Sequence, residues 1–360
     1  MKRVVTIGSV MKDIFIQTDG VESLQLHTVD GEHAYTLFEE GKKIEVGHVE
    51  HHVGGGAANS AVSFARLGFE VSTIAKMGTD ADAEFITHHL KSAGVHEQFF
   101  IYTNQACTGT SFIIPSSAAN RTILVYRGAN KLLAQTDIPA DAFNKADLVY
   151  ITSLTQHAAD LLPYITQQAH KQGLFVAVNP GTSQLRGHAV AMLPALAHID
   201  LLILNAYEAG LLMQALQGIT TSQIPTDQYE YVPELLQGLT NSFGYTLPDF
   251  VRVVMQKGPR ILVVTNGKEG VYVAAGNKLY FHKTVAQQII STVGAGDSFA
   301  STFVALHALN IPIEQAIHMS LVNCASVLEH IGAQTGLLTM QELENKTASY
   351  KTSIVHIYNL

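Results

Sequence analysis

The residue types best suited to chemistry stand together late in the chain, where Gly294, Ala295 and Gly296 are followed directly by Asp297. A strand is predicted before them and a helix after them, so small-residue N–H groups and the positive end of a helix would converge on an anion. A carboxylate at such a place is explained by phosphoryl transfer, in which Asp297 accepts the proton of the attacking hydroxyl group. The alternative is a glycine turn in which Asp297 is an ordinary helix N-cap.

A second glycine segment opens the first long predicted helix. Gly55 and Gly56 allow a substrate to approach the backbone, and Asn59, one turn inside, can donate to and accept from hydroxyl groups. Asp13 follows the first predicted strand, at the edge where open α/β sheets bind ligands, and can hold two sugar hydroxyls. The alternative for the glycines is a glycine turn with tight helix–sheet packing. The alternative for Asp13 is a solvated loop acid that pairs with Lys12 or caps a turn. A Rossmann dinucleotide site is excluded, because no Gly-x-Gly-x-x-Gly follows the first strand.

Two more predicted strands end in polar residues. Asn205 and Glu208 lie three apart at a helix start and project from one side, which suits a hydrated Mg²⁺–nucleotide complex. The alternative is a capping box in which Asn205 caps the helix. The segment Thr265-Asn266-Gly267 offers a hydroxyl and a flexible backbone to nucleotide phosphates, and a hairpin turn is its alternative.

Strand-like and helix-like segments alternate along most of the chain and must position these residues. The predicted strands are Val4–Gly8, Val71–Ala75, Leu148–Thr152, Leu174–Asn179, Leu201–Leu204, Ile261–Thr265 and Val285–Ile290. The predicted helices are Ala57–Leu67, Ala158–Gln172, Ala206–Leu216, Asp249–Gln256 and Ser298–Leu309. Unbroken apolar strands such as Leu201–Leu204 are typical of a parallel sheet covered on both faces, so a doubly wound α/β fold is expected.

Two regions, at about 14–53 and 98–127, contain short strands without helices between them. They predict a small antiparallel sheet that stands off the main body as a lid or a dimer contact, because exposed sheet edges must be covered. A surface insertion with no assigned role is expected at 218–247. Residues 1–345 are expected to form a single domain, followed by a C-terminal tail at 346–360.

Composition excludes several classes of function. The 360 residues carry a net charge of −8 with no long basic cluster, which disfavours a nucleic-acid partner. The longest apolar tract contains Pro194, His198 and Asp200, so no membrane span is expected. The absence of a visible signal peptide and only two cysteines predict a cytoplasmic protein. Seventeen histidines form no metal-ligand spacing, since adjacent ones such as His51 and His52 point to different faces.

The motifs, in their order along the chain, resemble those of the ribokinase-like (PfkB) family of carbohydrate and nucleoside kinases. The matching pieces are Gly8-Ser9, Gly55-Gly56-Ala57-Ala58-Asn59, Gly128-Ala129-Asn130, Asn179-Pro180-Gly181, Asn205-x-x-Glu208, Thr265-x-Gly267, Gly294-Ala295-Gly296-Asp297 and Gly332-Ala333-Gln334. The resemblance covers about residues 1–340. It implies a three-layer α/β/α sandwich with a mainly parallel central sheet, and a small β-sheet lid that often helps form dimers.

The resemblance also implies roles for individual residues. Asp297 would be the catalytic base, and the backbone amides of Gly294, Ala295 and Gly296 would form the anion hole. The remaining assignments are Asp13, Gly55, Gly56 and Asn59 for the acceptor; Asn205, Thr265, Asn266, Gly267 and Asn323 for ATP; and Glu208 for Mg²⁺, through water.

Three departures from the family pattern bear on specificity. Met11 stands where ribokinases carry Asn, and Gly56 where they carry Lys, so a ribose-specific pocket is disfavoured and a larger acceptor is favoured. Ser291 replaces an acid that in many members helps to hold potassium, so monovalent-cation activation is disfavoured.

Two arginines flank a predicted lid strand, Thr122–Tyr126. An arginine that reaches the pocket would pair bidentately with an acidic sugar or a sugar phosphate. Arg127 is therefore a candidate substrate-binding residue, and an exposed lid position is its alternative.

The sequence thus predicts an ATP-dependent kinase that phosphorylates a hydroxymethyl group of a sugar or sugar derivative. The alternative within enzymes is a nucleoside kinase acting on adenosine, inosine or guanosine. A non-catalytic ligand-binding relative is disfavoured, because a decayed site has no need to keep Asp297 beside an anion hole.

Overall fold

A computed structural model describes residues 1–17, 22–28, 31–115, 121–139, 141–216, 246–286, 288–350 and 355–360. Its strands are β1 (Arg3–Ile7), β2 (Met11–Gln17), β3 (Glu22–Thr28), β4 (Gly31–Leu37), β5 (His48–Gly54), β6 (Glu70–Gly78), β7 (Val95–His96), β8 (Phe100–Thr103), β9 (Thr110–Pro115), β10 (Arg121–Tyr126), β11 (Leu148–Ile151), β12 (Phe175–Val178), β13 (Leu201–Asn205), β14 (Ile261–Thr265), β15 (Val271–Ala275), β16 (Lys278–His282) and β17 (His356–Asn359). Its α-helices are α1 (Gly56–Arg66), α2 (Ala81–Ser92), α3 (Leu162–Lys171), α4 (Thr182–Ala195), α5 (Ala206–Leu216), α6 (Leu247–Met255), α7 (Ala295–Ala308), α8 (Ile313–Leu328) and α9 (Met340–Ser349). Short 3₁₀ helices lie at Gly128–Leu132, Gln135–Asp137, Gln156–Leu161, Leu196–His198 and Gly267–Glu269.

Eleven strands form one large sheet in the order β17-β16-β15-β14-β13-β12-β11-β1-β6-β7, with β8 also paired to β6. The strands from β14 to β8 are parallel to their neighbours, and β15, β16 and β17 extend one edge in antiparallel pairs. Because the parallel strands share one direction, the loops that follow β1, β13 and β14 lie along the same edge of the sheet.

Two hydrophobic cores lie on opposite faces of this sheet. Within β13, Leu202 and Leu204 belong to one core, and Leu201 and Ile203 belong to the other. Helices α3, α4, α5 and α6 cover the first core, whereas α1, α2, α7 and α8 cover the second. The apolar sequence of β13 is therefore buried on both sides. The predicted three-layer α/β/α sandwich is confirmed.

A lid sheet stands on this sandwich, with its strands in the order β10-β9-β2-β5. The chain passes directly from β1 into the lid strand β2, and the loop between them is fixed by one side chain. Asn130 accepts a hydrogen bond from the Val10 N–H at 3.0 Å and donates one to the Val10 carbonyl at 2.9 Å. The strands β3 and β4 form a separate hairpin.

Both segments of the lid sheet begin at residues other than those predicted. Strand β2 begins at Met11 rather than near residue 14. Strand β8 (Phe100–Thr103) is not part of the lid, because β7 pairs only with Val71 and Ser72 and leaves the far end of β6 free to pair with β8. The expectation of a purely antiparallel lid was also wrong, since β2 and β9 run parallel.

Two other predictions were wrong. The described residues from 285 to 290 form no strand: the N–H groups of Ile290 and Ser291 both donate to the Leu328 carbonyl, so this segment passes over the end of α8. Residues 346–360 are not a simple tail, because α9 runs to Ser349 and β17 joins the large sheet beside β16. The predicted insertion at 218–247 falls almost entirely outside the described residues. Among the described helices, none is long and apolar enough to cross a membrane.

Candidate active site

The small-residue segment forms the start of α7. Gly294 is the N-cap residue, with a left-handed φ of 78°, and as a glycine it has no side chain with which to cap the helix. A Cβ atom on Gly294 would lie 2.5 Å from the Cα of Ala333, so the close contact with that loop requires glycine. Asp297 lies in the first turn of the helix, not at the N-cap. The alternative of an ordinary N-cap is therefore wrong for Asp297, whose carboxylate is available for other partners.

The Asp297 carboxylate meets the helix that begins with the second glycine segment. Its Oδ2 accepts a hydrogen bond from the Asn59 amide at 2.7 Å. Burial raises the pKa of Asp297 above its ordinary value, and the hydrogen bond from Asn59 opposes that rise. The structure thus brings together two motifs that are far apart in sequence, and it leaves Asp297 with the raised proton affinity that a general base needs.

Asp13 lies on the lid strand β2 and is 7% exposed. Burial raises its pKa to about 6; a hydrogen bond from Ser111 and the nearby His52 lower the pKa, and the charge of Asp297 raises it. The alternative of a loop acid paired with Lys12 is wrong, because Lys12 instead pairs with Asp82 at 2.6 Å. Asp13 is thus close enough to Asp297 for the charge of Asp297 to raise its pKa. We call Asp13, Asn59 and Asp297 the polar cluster.

The glycines before Asn59 allow α1 to begin against the loop that follows β1. Gly55 has a positive φ of 91°, and a Cβ there would lie 2.5 Å from the Ser9 carbonyl oxygen. The same carbonyl accepts a hydrogen bond from the Ala57 N–H at 3.1 Å, and a Cβ on Gly56 would lie 2.9 Å from the Thr152 side chain. Tight packing therefore accounts for both glycines, and acceptor contacts at Gly55 and Gly56 remain predictions.

A cavity of about 370 Å³ lies beside the start of α7. We call it the α7 cavity. Its walls include Thr265 at the end of β14, Gly267 in the turn that follows, and Ala295 and Gly296 of the small-residue segment. Its other lining residues are Lys268, Gly270, Val271, Thr284, Val285, Ala286, Ile289, Thr292, Phe299, Leu321, Cys324, Ala325 and Leu328. Two of the predicted nucleotide motifs therefore share one largely apolar cavity.

Three predicted nucleotide residues lie outside the lining of this cavity. Asn266 holds the turn after β14, where its N–H donates to the Gly270 carbonyl at 2.8 Å. Asn323 is fully buried, donating to Thr302 at 2.8 Å and accepting from the Leu338 N–H at 3.0 Å. The third, Asn205, caps α5 as described below. These three residues are therefore not part of the cavity wall.

Asn205 and Glu208 form a reciprocal cap at the start of α5. The Asn205 N–H donates to Glu208 at 2.9 Å, and the Glu208 N–H donates to Asn205 at 2.8 Å, as in the capping-box alternative. Thr182 donates to the second Glu208 oxygen at 2.9 Å. Burial raises the pKa of Glu208, and these hydrogen bonds lower it. Among the described residues, no group of three His, Cys, Asp or Glu side chains is placed to hold a metal ion directly.

The two lid arginines occupy different places. Arg121, on β10, donates to the Thr292 hydroxyl just before the small-residue segment, so it connects the lid to the edge of the α7 cavity. Arg127 follows β10, is partly buried, and has its pKa lowered by that burial. A substrate contact by Arg127 remains a prediction.

Several residues of the site were not found from the sequence. Ser111 lies in an alternating lid strand, where no motif marks it, yet it donates to Asp13. Gln334 belongs to a matched motif that carried no role, and it donates to Asn59 at 3.0 Å. Thr182 follows the Asn179-Pro180-Gly181 motif, and this was the only signal that could have indicated it.

Solved structures share this architecture of a sandwich and a lid. A ribokinase from Arabidopsis thaliana, complexed with ribose and ATP, has a TM-score of 0.74 and 19% identity, covering 98% of this chain and 100% of that one. A nucleoside kinase from Burkholderia thailandensis, in complex with inosine, has a TM-score of 0.72 and 15% identity, covering 96% and 98%. The chain thus has the ribokinase fold.

The sequence comparisons agree with the fold. The family model for pfkB family carbohydrate kinases matches residues 1–340, and the chain belongs to that family. A ribokinase from Staphylococcus aureus (strain COL) is 26% identical over 307 residues, which are 84% of this chain and 91% of the relative. Membership of this family identifies the chain as a sugar or nucleoside kinase.

Proposed function

We propose that this protein transfers the γ-phosphoryl group of ATP to a hydroxymethyl group of a sugar or sugar derivative. The observation that carries the proposal is the position of Asp297, which contacts Asn59 on one side and shares a helix turn with Ala295 and Gly296 of the α7 cavity on the other. A carboxylate between an acceptor side and a nucleotide side is well placed to take the proton of the acceptor hydroxyl as that hydroxyl attacks the phosphate.

In the proposed reaction, Asp13 and Asn59 hold the acceptor hydroxyls under the lid. Asp297 takes the proton of the attacking hydroxyl as its oxygen bonds to the γ-phosphorus and the bond to ADP breaks. The backbone N–H groups from Gly294 to Gly296 and the positive end of α7 stabilise the charge that develops on the phosphoryl oxygens. The raised pKa of Asp297 supports this assignment, because a very weak base would gain little from the transfer.

ATP would occupy the α7 cavity. The ribokinase from Arabidopsis thaliana was solved with ATP, and that protein shares this fold. In the present chain, Thr265 and Gly267 would contact the phosphates, while Leu321 and Leu328 offer an apolar wall to the base.

The site also fits a hydrated Mg²⁺. Both oxygens of Glu208 already accept hydrogen bonds within the protein, and each carboxylate oxygen can accept a second one. Glu208 and Asn205 would therefore hold the ion through its waters rather than directly. When bound with ATP, the ion neutralises phosphate charge.

The lid is proposed to form a homodimer contact. Five apolar side chains on β9 and β10 are between 37% and 55% exposed: Phe112, Ile123, Leu124, Val125 and Tyr126. Phe112, Leu124 and Tyr126 share one face of the lid, because Leu124 pairs with Phe112 and side chains alternate along a strand. A second lid would cover that face. In sedimentation velocity, the Leu124→Lys variant is expected to dissociate the dimer. A wild-type protein that sediments as a monomer at every protein concentration would contradict the contact.

The test of the function is the release of ADP from ATP and Mg²⁺ with a panel of free sugars, sugar acids, sugar phosphates and nucleosides. A sugar that supports turnover, with no turnover in Asp297→Asn, is the expected result. Turnover with a nucleoside alone would establish the nucleoside kinase instead. Binding of ATP without any turnover across the panel would count against the proposed reaction.

A further inference from the structure

A chain of side-chain hydrogen bonds runs from the outer surface of α2 to Asp297. The His89 Nε2 lies 2.7 Å from the Gln334 Oε1, and the Gln334 Nε2 donates to the Asn59 Oδ1 at 3.0 Å. The same Gln334 nitrogen donates to the Val53 carbonyl at 3.0 Å, and the Asn59 Nδ2 donates to Asp297 at 2.7 Å. The chain joins α2, the loop between α8 and α9, and α1 to the first turn of α7.

The chemistry of each group fixes which partner donates in every hydrogen bond of this series. An amide oxygen only accepts hydrogen bonds, so His89 must present an N–H at Nε2 to Gln334. Both hydrogens of the Gln334 amide are then directed at carbonyl oxygens, one on Val53 and one on Asn59. With its oxygen taken by Gln334, Asn59 can offer only its NH₂ group to Asp297. A reversed Asn59 amide would place its oxygen against the carboxylate, which is repulsive.

We propose that His89 and Gln334 are positioning residues, which fix the Asn59 amide so that it donates to Asp297 and orients that carboxylate for proton transfer. Neither residue touches the reacting atoms, and both act through Asn59. The proposal rests on the proposed function of Asp297 as the base. It extends that function by assigning a role to the Gly332-Ala333-Gln334 segment and to a histidine on the wall of a separate cavity of about 380 Å³.

The surroundings of these hydrogen-bonded side chains are compatible with this role. Asn59 is 6% exposed, so water does not readily replace a lost partner. The titratable groups that interact with Asp297 are Asp13 on β2 and the buried Tyr150 on β11. Arg66 lies on the same cavity wall as His89, together with His51 and His52.

The test compares substitutions that keep or remove individual hydrogen bonds in the full-length protein. Gln334→Met keeps the length of the side chain and removes every side-chain hydrogen bond of this residue. It is expected to lower kcat about tenfold, the lower end of the loss seen when an outer hydrogen-bond partner is removed at metal sites. His89→Leu removes the donor and should act in the same direction. His89→Gln places an amide N–H near the position of the imidazole Nε2, and it should restore kcat to near the wild-type value. His88→Leu, on the same helix but exposed, is the matched control and should leave kcat unchanged.

The readouts separate positioning from structural damage. We expect the acid limb of the kcat–pH profile to move to higher pH in Gln334→Met and His89→Leu, because Asp297 loses a well-aligned donor. The KM for ATP should change little, and thermal unfolding in the presence of ATP shows whether each variant folds.

The outcomes distinguish this proposal from the proposed function. If Asp297→Asn keeps wild-type turnover, the function of Asp297 is wrong and the positioning role fails with it. If Asp297→Asn is inactive while folded Gln334→Met and His89→Leu keep the wild-type kcat and pH profile, only the positioning role is wrong. A change confined to the acceptor KM would also overturn it, since Gln334 would then act on binding. A loss in His89→Leu that His89→Gln does not restore would exclude the donor role of His89.

Discussion

The polar cluster and the α7 cavity are neighbouring parts of one site, but they are built in different ways. In the polar cluster, side chains hold one another: Ser111 donates to Asp13, and Asn59 donates to Asp297. The α7 cavity instead combines small residues such as Gly296 with an apolar wall. Substitutions in the polar cluster should therefore act through charge and hydrogen bonding, whereas those in the cavity should act through volume.

The largest effect is expected for Asp297→Asn. The variant keeps the size of the side chain but cannot take up the proton, so kcat should fall about a thousandfold. Steady-state ADP release measures this loss, and thermal unfolding checks the fold. Asp141→Asn, an exposed acid outside the site, is the control and should behave as the wild type. Near-normal turnover by Asp297→Asn would remove the base from the mechanism.

A smaller loss is expected for Asp13→Asn. Asparagine has one accepting oxygen where the carboxylate has two, and it carries no charge. The kcat/KM for the acceptor should therefore fall about thirtyfold at pH 8. Because the pKa of Asp13 is raised to about 6, wild-type kcat/KM should decline as the pH falls below that value. Position 13 does not titrate in the variant, so the part of this decline that Asp13 causes should be absent. An identical pH profile would show that Asp13 does not bind the acceptor in its charged form.

Stability gives an independent check on Asp13. Its pKa is higher in the folded protein than its ordinary value of 3.8, so the folded state binds the proton more tightly. The free energy of unfolding should therefore fall as the pH rises from about 4 through 6. Asp13→Asn should be more stable than the wild type at pH 8, by about 3 kcal/mol in urea titrations.

The α7 cavity should respond to added volume. Cys324 lines it, with its Sγ donating to the Ala295 carbonyl at 3.4 Å, and burial raises the pKa of the thiol to about 12. We expect Cys324→Phe to raise the KM for ATP about tenfold and to leave the acceptor KM unchanged. Cys107→Phe, at the exposed cysteine, is the matched control. An effect on the acceptor KM alone would show that the two parts of the site are not separate.

The smallest effect is expected for monovalent cations. Ser291 accepts a hydrogen bond from the Val293 N–H at 3.3 Å and offers a neutral oxygen. Replacing Na⁺ with K⁺ at constant ionic strength should change kcat by less than about twofold. Strong activation by K⁺ would place a cation site here despite the missing acid.

Most of the fold could be predicted from the sequence, because apolar runs and helix boundaries are local signals. The strand Leu201–Asn205 is apolar along its buried length, and this pattern indicated a sheet covered on both faces. The prediction of a strand at 285–290 was wrong because it relied on the same apolar pattern. Its apolar residues resemble a strand, but Ile289 and Ile290 are about half exposed and the segment bonds to the end of α8. Composition alone does not distinguish these two environments.

The site was predictable only where a motif marked it. Asp297 and Asn59 were both proposed from their own segments, but their mutual hydrogen bond links residues that are 238 positions apart. Ser111 and His89 lie in segments without a motif, and only the folded chain brings them to the polar cluster. The reciprocal cap of Asn205 and Glu208 shows the opposite case, in which one spacing serves a helix end and a ligand site equally well.

The loop from β1 to β2 carries a consequence for engineering. The acid assigned to the acceptor, Asp13, belongs to a lid strand that begins right after Val10, where Asn130 clamps the chain. If Asp13 binds the acceptor as proposed, a lid exchanged at this point would carry the acceptor-binding residue with it. Substrate preference would then be inherited with the lid, and a chimera made at Val10 would exchange both in one step.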